Sequence, residues 1–269
     1  MSEHNQRKIK LSNTSLNYAK FIGGKKVLLC FHGFGQDHSA FLSLIEKVKT
    51  DYTVYSFDIF FHGDSKWLRN ETLLLANDWF ELMQLFLSKE SINEFETMGF
   101  SMGGKFAMIT AQLFPKKIKH IHLLAPDGIK MHFSYKFSTL FLPFRKLFKT
   151  QIEKPELFKS LVKFSRTFNL MDNYALRFAE TQMSTLKQRE LVYYSWVVFR
   201  NFVPDLKNLS LLINESPVRL TFYIGKYDKV INEKAIAPLI KTLNHPDLRI
   251  MESGHSKLIE VVANQFNID

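Results

Sequence analysis

The stretch Gly99-Phe100-Ser101-Met102-Gly103-Gly104 joins a hydroxyl nucleophile to the residues needed to hold it in a tight turn. It follows a short apolar run and leads into residues 105–114, whose apolar spacing is that of a buried helix. A strand, a very sharp turn and a helix are expected, with Ser101 at the apex. Glycine on both sides suits such a turn, because the apex is forced into an unusual backbone conformation and neighbouring side chains would collide. The helix N-terminus beyond the turn favours negative charge developing near the hydroxyl. A serine held this way attacks a carbonyl once a base takes its proton. His120 and His122 sit two apart, share one face of a strand and are a possible start for a metal site. No third ligand lies near them in sequence, so packing against a helix is the expectation and no metal is assigned. The single cysteine, Cys30, lies in the apolar run 27–31 and is expected to be core.

These groups need a scaffold, and the pattern around them is one of alternation. Residues 7–12 and 15–21 predict two short strands around Asn13-Thr14, an opening hairpin. The continuous apolar run 27–31 predicts a strand buried on both faces, and it ends in His32-Gly33-Phe34-Gly35. A helix over 39–48, a strand over 52–57, a helix over 77–87, the Ser101 strand and helix, and a strand over 118–124 follow. Strand and helix in alternation argue for a mostly parallel sheet flanked by helices, an α/β fold. After Gly128 the rhythm stops for about 80 residues, where four helices are expected over 131–149, 155–168, 172–182 and 186–202. The sheet resumes over 218–224, followed by a helix over 232–243, a strand over 248–252 and a helix over 257–266.

With its strand and helix, Gly99-Phe100-Ser101-Met102-Gly103 resembles the nucleophile elbow of the α/β-hydrolases, and several further stretches resemble that family in register. His32-Gly33-Phe34 is similar to its HG-x loop after the corresponding strand. Asp58-Ile59-Phe60-Phe61-His62-Gly63-Asp64-Ser65 is similar to a D-x-x-x-H-G-x-S turn, there a structural one. Gly225-Lys226-Tyr227-Asp228 resembles the setting of the triad acid. The resemblance covers about residues 22–127 and 215–266 and implies Ser101, Asp228 and His255 as nucleophile, acid and base. It also implies the Phe34 and Met102 N–H groups as oxyanion-hole donors, with His32 structural. Of the two histidines after Asp228, His245 lies before the last strand, whereas His255 follows that strand's carboxyl end, where a parallel sheet places its site. His62 precedes the nucleophile and is set aside as base; Asp127, also at a strand's carboxyl end, is the fallback acid.

By the same resemblance residues 128–207 form a helical cap inserted after the strand ending near Leu124. Residues 1–127 and 208–269 then form the core. The chain's net charge of +10 is concentrated in the insertion, which holds 14 Lys/Arg against six Asp/Glu and 16 of the 38 aromatics. No zinc-finger spacing, RNP-like motif or polybasic run supports nucleic-acid binding. No secretory h-region and no spanning run are seen, so a cytoplasmic protein without a transmembrane segment is expected. The aromatics are expected to be cap core; the sharper alternative is that some line an apolar substrate channel or make peripheral membrane contact.

The expected function is that of a serine carboxylesterase or thioesterase acting on a small to medium apolar acyl substrate, neutral or anionic, with no cofactor. Two alternatives stand beside it. One is a carbon–carbon hydrolase or lyase, since the elbow and the His32 loop are also similar to those of the menaquinone-pathway synthases. The other is a non-catalytic ligand-binding protein on a hydrolase scaffold. The substrate and the oligomeric state are not legible.

Overall fold

The computed structural model describes residues 5–130 and 183–266, with isolated positions between 145 and 166. Two compact units divide the chain: Met1–Asn70, Leu74–Lys130 and Phe202–Asp269 in one, Glu71–Leu73 and Met131–Asn201 in the other.

The larger unit is built on a nine-stranded sheet. β1 (Asn5–Leu11) and β2 (Thr14–Phe21) form the opening hairpin. β3 (Lys26–Phe31), β4 (Tyr52–Phe57), β5 (Lys66–Trp67), β6 (Phe95–Phe100) and β7 (Ile118–Leu124) follow, then β8 (Arg219–Gly225) and β9 (Asp247–Met251). Their spatial order is β1-β2-β4-β3-β6-β7-β8-β9, with the two-residue β5 paired to β2. Pairings from β4 through β9 are parallel, whereas β1 and β2 run antiparallel. The architecture is thus α/β with a mostly parallel sheet.

β6 is buried at all six positions, flanked by β3 and β7 and packed against the helix that follows it in the chain. Among the described residues the helices are α1 (Leu42–Val48), α2 (Ala76–Lys89), α3 (Gly103–Leu113), α4 (Leu186–Val198), α5 (Leu206–Glu215), α6 (Glu233–Ile240) and α7 (Leu258–Gln265). α1 begins three residues later than expected, because a 3₁₀ turn over His38–Phe41, capped by Asp37, precedes it. α5 had no counterpart in the sequence reading. Asp205 caps its N-terminus by accepting from the Lys207 and Asn208 N–H groups.

α3 is the most deeply buried of these helices, with Gly103 through Ala111 all buried. Its Phe106 packs on Phe31, Trp79 and Phe202. The Trp79 indole N–H donates to Thr110 Oγ1 at 2.9 Å, so the one polar atom of that side chain is satisfied inside the core.

The smaller unit contains α4, opened by a capping box between Thr185 and Gln188. Ile152, Tyr193 and Val197 pack together there, and the buried Arg189 guanidinium donates to the carbonyls of Ile152, Met183 and Ser184. Glu71 accepts from Lys149 Nζ at 2.6 Å. The helices expected over 131–149, 155–168 and 172–182 fall almost entirely outside the described residues.

Glu90, at the carboxyl end of α2, ties the antiparallel edge to the rest. Its carboxylate, 2 % exposed, accepts from Arg7, Tyr18, Lys20 and Tyr55. Burial alone would raise its pKa, but the hydrogen bonds from Tyr18, Lys20 and Arg7 outweigh that and hold it down at about 2. A carboxyl whose folded pKa lies below its unfolded value stabilises the fold above the unfolded pKa. That contribution is lost as pH falls from about 4.5 towards 2. Glu90→Gln should therefore destabilise the protein by about 2 kcal/mol at neutral pH. It should also flatten the acid limb of the stability curve, measured by urea unfolding from pH 7 to pH 3.

Candidate active site

The elbow is built by three strands. β6 delivers the chain to Ser101, whose φ of +50° is the strained conformation that the flanking glycines led us to expect. The turn is locked by β7: Ser101 N–H donates to the Leu124 carbonyl at 2.9 Å, and Asp127 N–H donates to the Ser101 carbonyl at 2.8 Å. Gly103 and Gly104 are required by space rather than by dihedral angle. A Cβ on Gly103 would fall on the Phe31 carbonyl of β3, and one on Gly104 would meet Pro126. Larger residues there would push α3 off the sheet and move the serine with it.

Ser101 Oγ lies 3.1 Å from His255 Nε2, and His255 Nδ1 lies 2.7 Å from Asp228 Oδ2. The three residues come from the carboxyl ends of β6, β8 and β9. Asp228 has no side-chain exposure, and its other oxygen, Oδ1, accepts from the N–H groups of Val230 and Ile231 at 2.7 and 2.9 Å. With the carboxylate an acceptor only, His255 Nδ1 must carry the hydrogen and Nε2 of the neutral ring presents a lone pair to the serine hydroxyl. The Phe100 ring packs against the imidazole in a tilted arrangement, with ring centroids 4.9 Å apart. Backbone hydrogen bonds from Lys226 to Met251 and from Tyr227 to Ser253 join the two loops that carry the acid and the histidine.

The other candidates lie elsewhere. Asp127 pairs with Lys105 Nζ at 3.2 Å, one turn along α3 from the serine. His245 is exposed in the turn before β9. His62 is buried and bonds the Phe60 carbonyl through Nδ1; burial lowers its pKa to about 4, so it is neutral at physiological pH.

The loop after β3 is held by His32, and the sequence held no signal for how. His32 Nε2 accepts from the Ile59 N–H at 3.0 Å, so Nδ1 carries the hydrogen and donates to the Gly33 carbonyl at 2.7 Å. Complete burial pushes its pKa down to about 3, so both bonds survive at neutral pH. The Gly33 carbonyl and the Phe34 N–H belong to one planar trans peptide and point in opposite directions. Fixing the first therefore aims the second. Gln36 Oε1 accepts from the Gly33 N–H and completes the brace. Next to it, Asp58 is fully buried and accepts from the His38 backbone and ring, the Asn17 amide and the Asp64 N–H. The Asp58–Ser65 stretch is thus a tied turn, and Gly63 at φ +50° leaves the space that the Asp58 carboxylate occupies.

The sequence profile of the alpha/beta hydrolase fold family matches residues 26–260. The chain belongs to that family. A Mycoplasma genitalium protein assigned by name to the esterases and lipases is 29 % identical over 147 residues, 52 % of this chain and 54 % of that one. The chain thus spans about half the length of that relative. A thermophilic esterase from Thermogutta terrifontis superposes with a TM-score of 0.69 at 14 % identity, covering 97 % of this chain and 96 % of that one. A bacterial membrane phospholipase A superposes with a TM-score of 0.64 at 20 % identity, over 98 % and 84 % of the two chains. At such identities the two structures speak for the fold alone.

The choice of acid is testable without a substrate. In a proton spectrum, the His255 Nδ1–H bonded to Asp228 should give a strongly downfield line. That line should persist in Asp127→Asn and vanish or move upfield in Asp228→Asn. The opposite pattern would transfer the role to Asp127.

Proposed function

We propose that the chain is a serine hydrolase that cleaves a carboxylic ester or thioester with a small to medium apolar acyl group. The observation that carries this reading is the hydrogen-bonded series Asp228–His255–Ser101, ending on a serine held at positive φ. A protein that only bound ligand would gain nothing from a buried carboxylate, an oriented imidazole and a strained serine in line. In this mechanism Ser101 Oγ attacks the acyl carbon while His255 Nε2 takes its proton. Asp228 fixes the imidazole tautomer and offsets the imidazolium charge. The Phe34 and Met102 N–H groups stabilise the tetrahedral oxyanion. His255 then protonates the leaving group, and water, activated by the same imidazole, releases the acid from Ser101.

Support for an apolar acyl group comes from the 16 aromatics of residues 128–207, the segment we assign to an inserted helical cap. The names of the similar proteins point the same way, towards esterases and lipases. The net positive charge of that segment suits an anionic acyl compound. Lys149 is already engaged by Glu71, so Lys146 is the cleaner residue for charge reversal.

A fluorophosphonate probe, a nitrophenyl-ester series and an acyl-CoA series test the reading together. Wild type should label at Ser101 and turn over at least one series, and Ser101→Ala should lose about 10⁶ in kcat. Asp228→Asn should lose about 10⁴. Labelling without turnover of either series would move the assignment to carbon–carbon cleavage. No labelling of folded protein would favour a binding role.

His32 supplies a separate test. His32→Ala frees the Gly33 carbonyl and should lower kcat by about 10²-fold, near the lower end of what losing an oxyanion donor costs. KM should change little, because the oxyanion forms only after binding. A rise in KM at constant kcat would mean that the loop serves substrate binding instead.

A further inference from the structure

Towards the end of the parallel strands opposite to Ser101, three side chains converge that the proposed chemistry does not use. His120 and His122 project from one face of β7, and Glu96 projects from the adjoining β6, where it stands opposite His120 in the register. All three are buried, and one donor atom from each lies within 4.8 Å of the other two. Glu96 is the third group that the local sequence around the histidines lacked. Along β6 it is five residues from Ser101, about 16 Å at the strand rise of about 3.3 Å per residue.

We propose that Glu96, His120 and His122 form a structural site for a zinc-type dication that clips β6 to β7.

Hydrogen-bond directions favour ligation at His120. Thr221 Oγ1 donates to Asp247 Oδ2 at 2.7 Å, since the carboxylate only accepts. The same hydroxyl oxygen therefore accepts from His120 Nε2–H at 2.8 Å, and the lone pair of His120 is left on Nδ1. An imidazole with one nitrogen free and the other donating into a hydroxyl–carboxylate chain is the usual outer arrangement of a metal-ligating histidine. The other two ligands also have outer partners: Tyr52 donates to Glu96 Oε2 at 3.0 Å, and the Tyr223 hydroxyl lies 3.5 Å from His122 Nδ1. Ligands about 2.0–2.2 Å from zinc stand about 3.3 Å apart in a tetrahedron. His122 Nε2 and Glu96 Oε2 are already 3.1 Å apart, so the closing movement falls on His120. On binding, the His122 hydrogen passes from Nε2 to Nδ1, where the Tyr223 oxygen accepts it, and no proton is gained or lost overall.

Protonation states agree with the geometry. Burial, reinforced by the neighbouring His122 and by Arg219, Arg249 and Lys26, lowers His120 to about 2, so the ring is neutral. Burial also lowers His122. For Glu96 burial acts upward, but the bonds from His122 and Tyr52 prevail and keep it ionised. The nearby cations oppose a dication. Arg249 is ion-paired with Asp247 at 3.2 Å, so part of that opposition is already offset, and Glu96 supplies the remaining local negative charge. Two nitrogens and one oxygen suit zinc better than calcium or magnesium. Phe266, just beyond α7, packs edge-on against His122 at 5.0 Å and shields the cluster from water.

The test uses the full chain, stripped with a chelator and titrated with Zn²⁺ against a chromophoric competitor, with Co²⁺ absorption as a reporter of ligand geometry. One equivalent should bind, the melting temperature should rise, and Co²⁺ should give tetrahedral visible bands. Thr221→Val, which leaves all three ligands, should weaken binding by about 10–100-fold. His120→Asn and Glu96→Gln should weaken it further, whereas His255→Ala should bind as wild type does. Absence of binding to folded wild type under a several-fold excess of Zn²⁺ would overturn the proposal. So would unchanged affinity in folded His120→Asn and Glu96→Gln, or loss of the site in His255→Ala.

Discussion

The geometry rests on one backbone constraint, the left-handed conformation of Ser101. A non-glycine residue at φ +50° costs of order 1–3 kcal/mol and persists only where its surroundings over-determine it. Here they do. β7 takes the Ser101 N–H and returns the Asp127 N–H to the Ser101 carbonyl, while β3 stands so close that Gly103 has no room for a side chain. A sheet that places β3, β6 and β7 side by side is thus a precondition for the elbow. The elbow in turn sets where the hydroxyl meets the imidazole.

Buried ionisable groups are handled in two ways, and the difference separates structure from chemistry. Asp58 and Glu90 are removed from water but surrounded by donors, so both stay ionised and act as knots between elements. His32 and His62 are buried without a charge partner and stay neutral, which makes them fixed donors or acceptors. Asp228 shares the first treatment, with two backbone N–H groups and an imidazole on its oxygens. Its side chain is fully buried while that of His255 is 21 % exposed. One end of the series is buried, and the other is partly exposed.

Much of the larger unit was legible because its signals are local. A buried parallel strand is a continuous apolar run, as in residues 27–31. An elbow needs glycine at set positions. The short β5 escaped because two residues carry no period, and α5 escaped because the stretch between the insertion and the strand expected from 218 was given no element. The 3₁₀ turn ahead of α1 depends on Asp37 and on contacts of His38 with Asp58, 20 residues away.

By itself, the sequence determined the strand–helix alternation, the serine between glycines and the chain order Ser101, Asp228, His255. The first two are written in residue type and spacing along one segment; the third was implied by resemblance to the family. Tertiary structure alone decided which carboxylate meets His255, since Asp127 and Asp228 both follow strands and differ only in their neighbours. Asp127 is drawn to Lys105 on α3, whereas Asp228 is enclosed with the imidazole by the paired loops after β8 and β9. The His32 tautomer and the meeting of Glu96 with His120 and His122 were likewise decided in three dimensions. Hydrogen bonds and ligand clusters form between strands that are neighbours in space but distant in sequence, and no local pattern records which strand lies beside which.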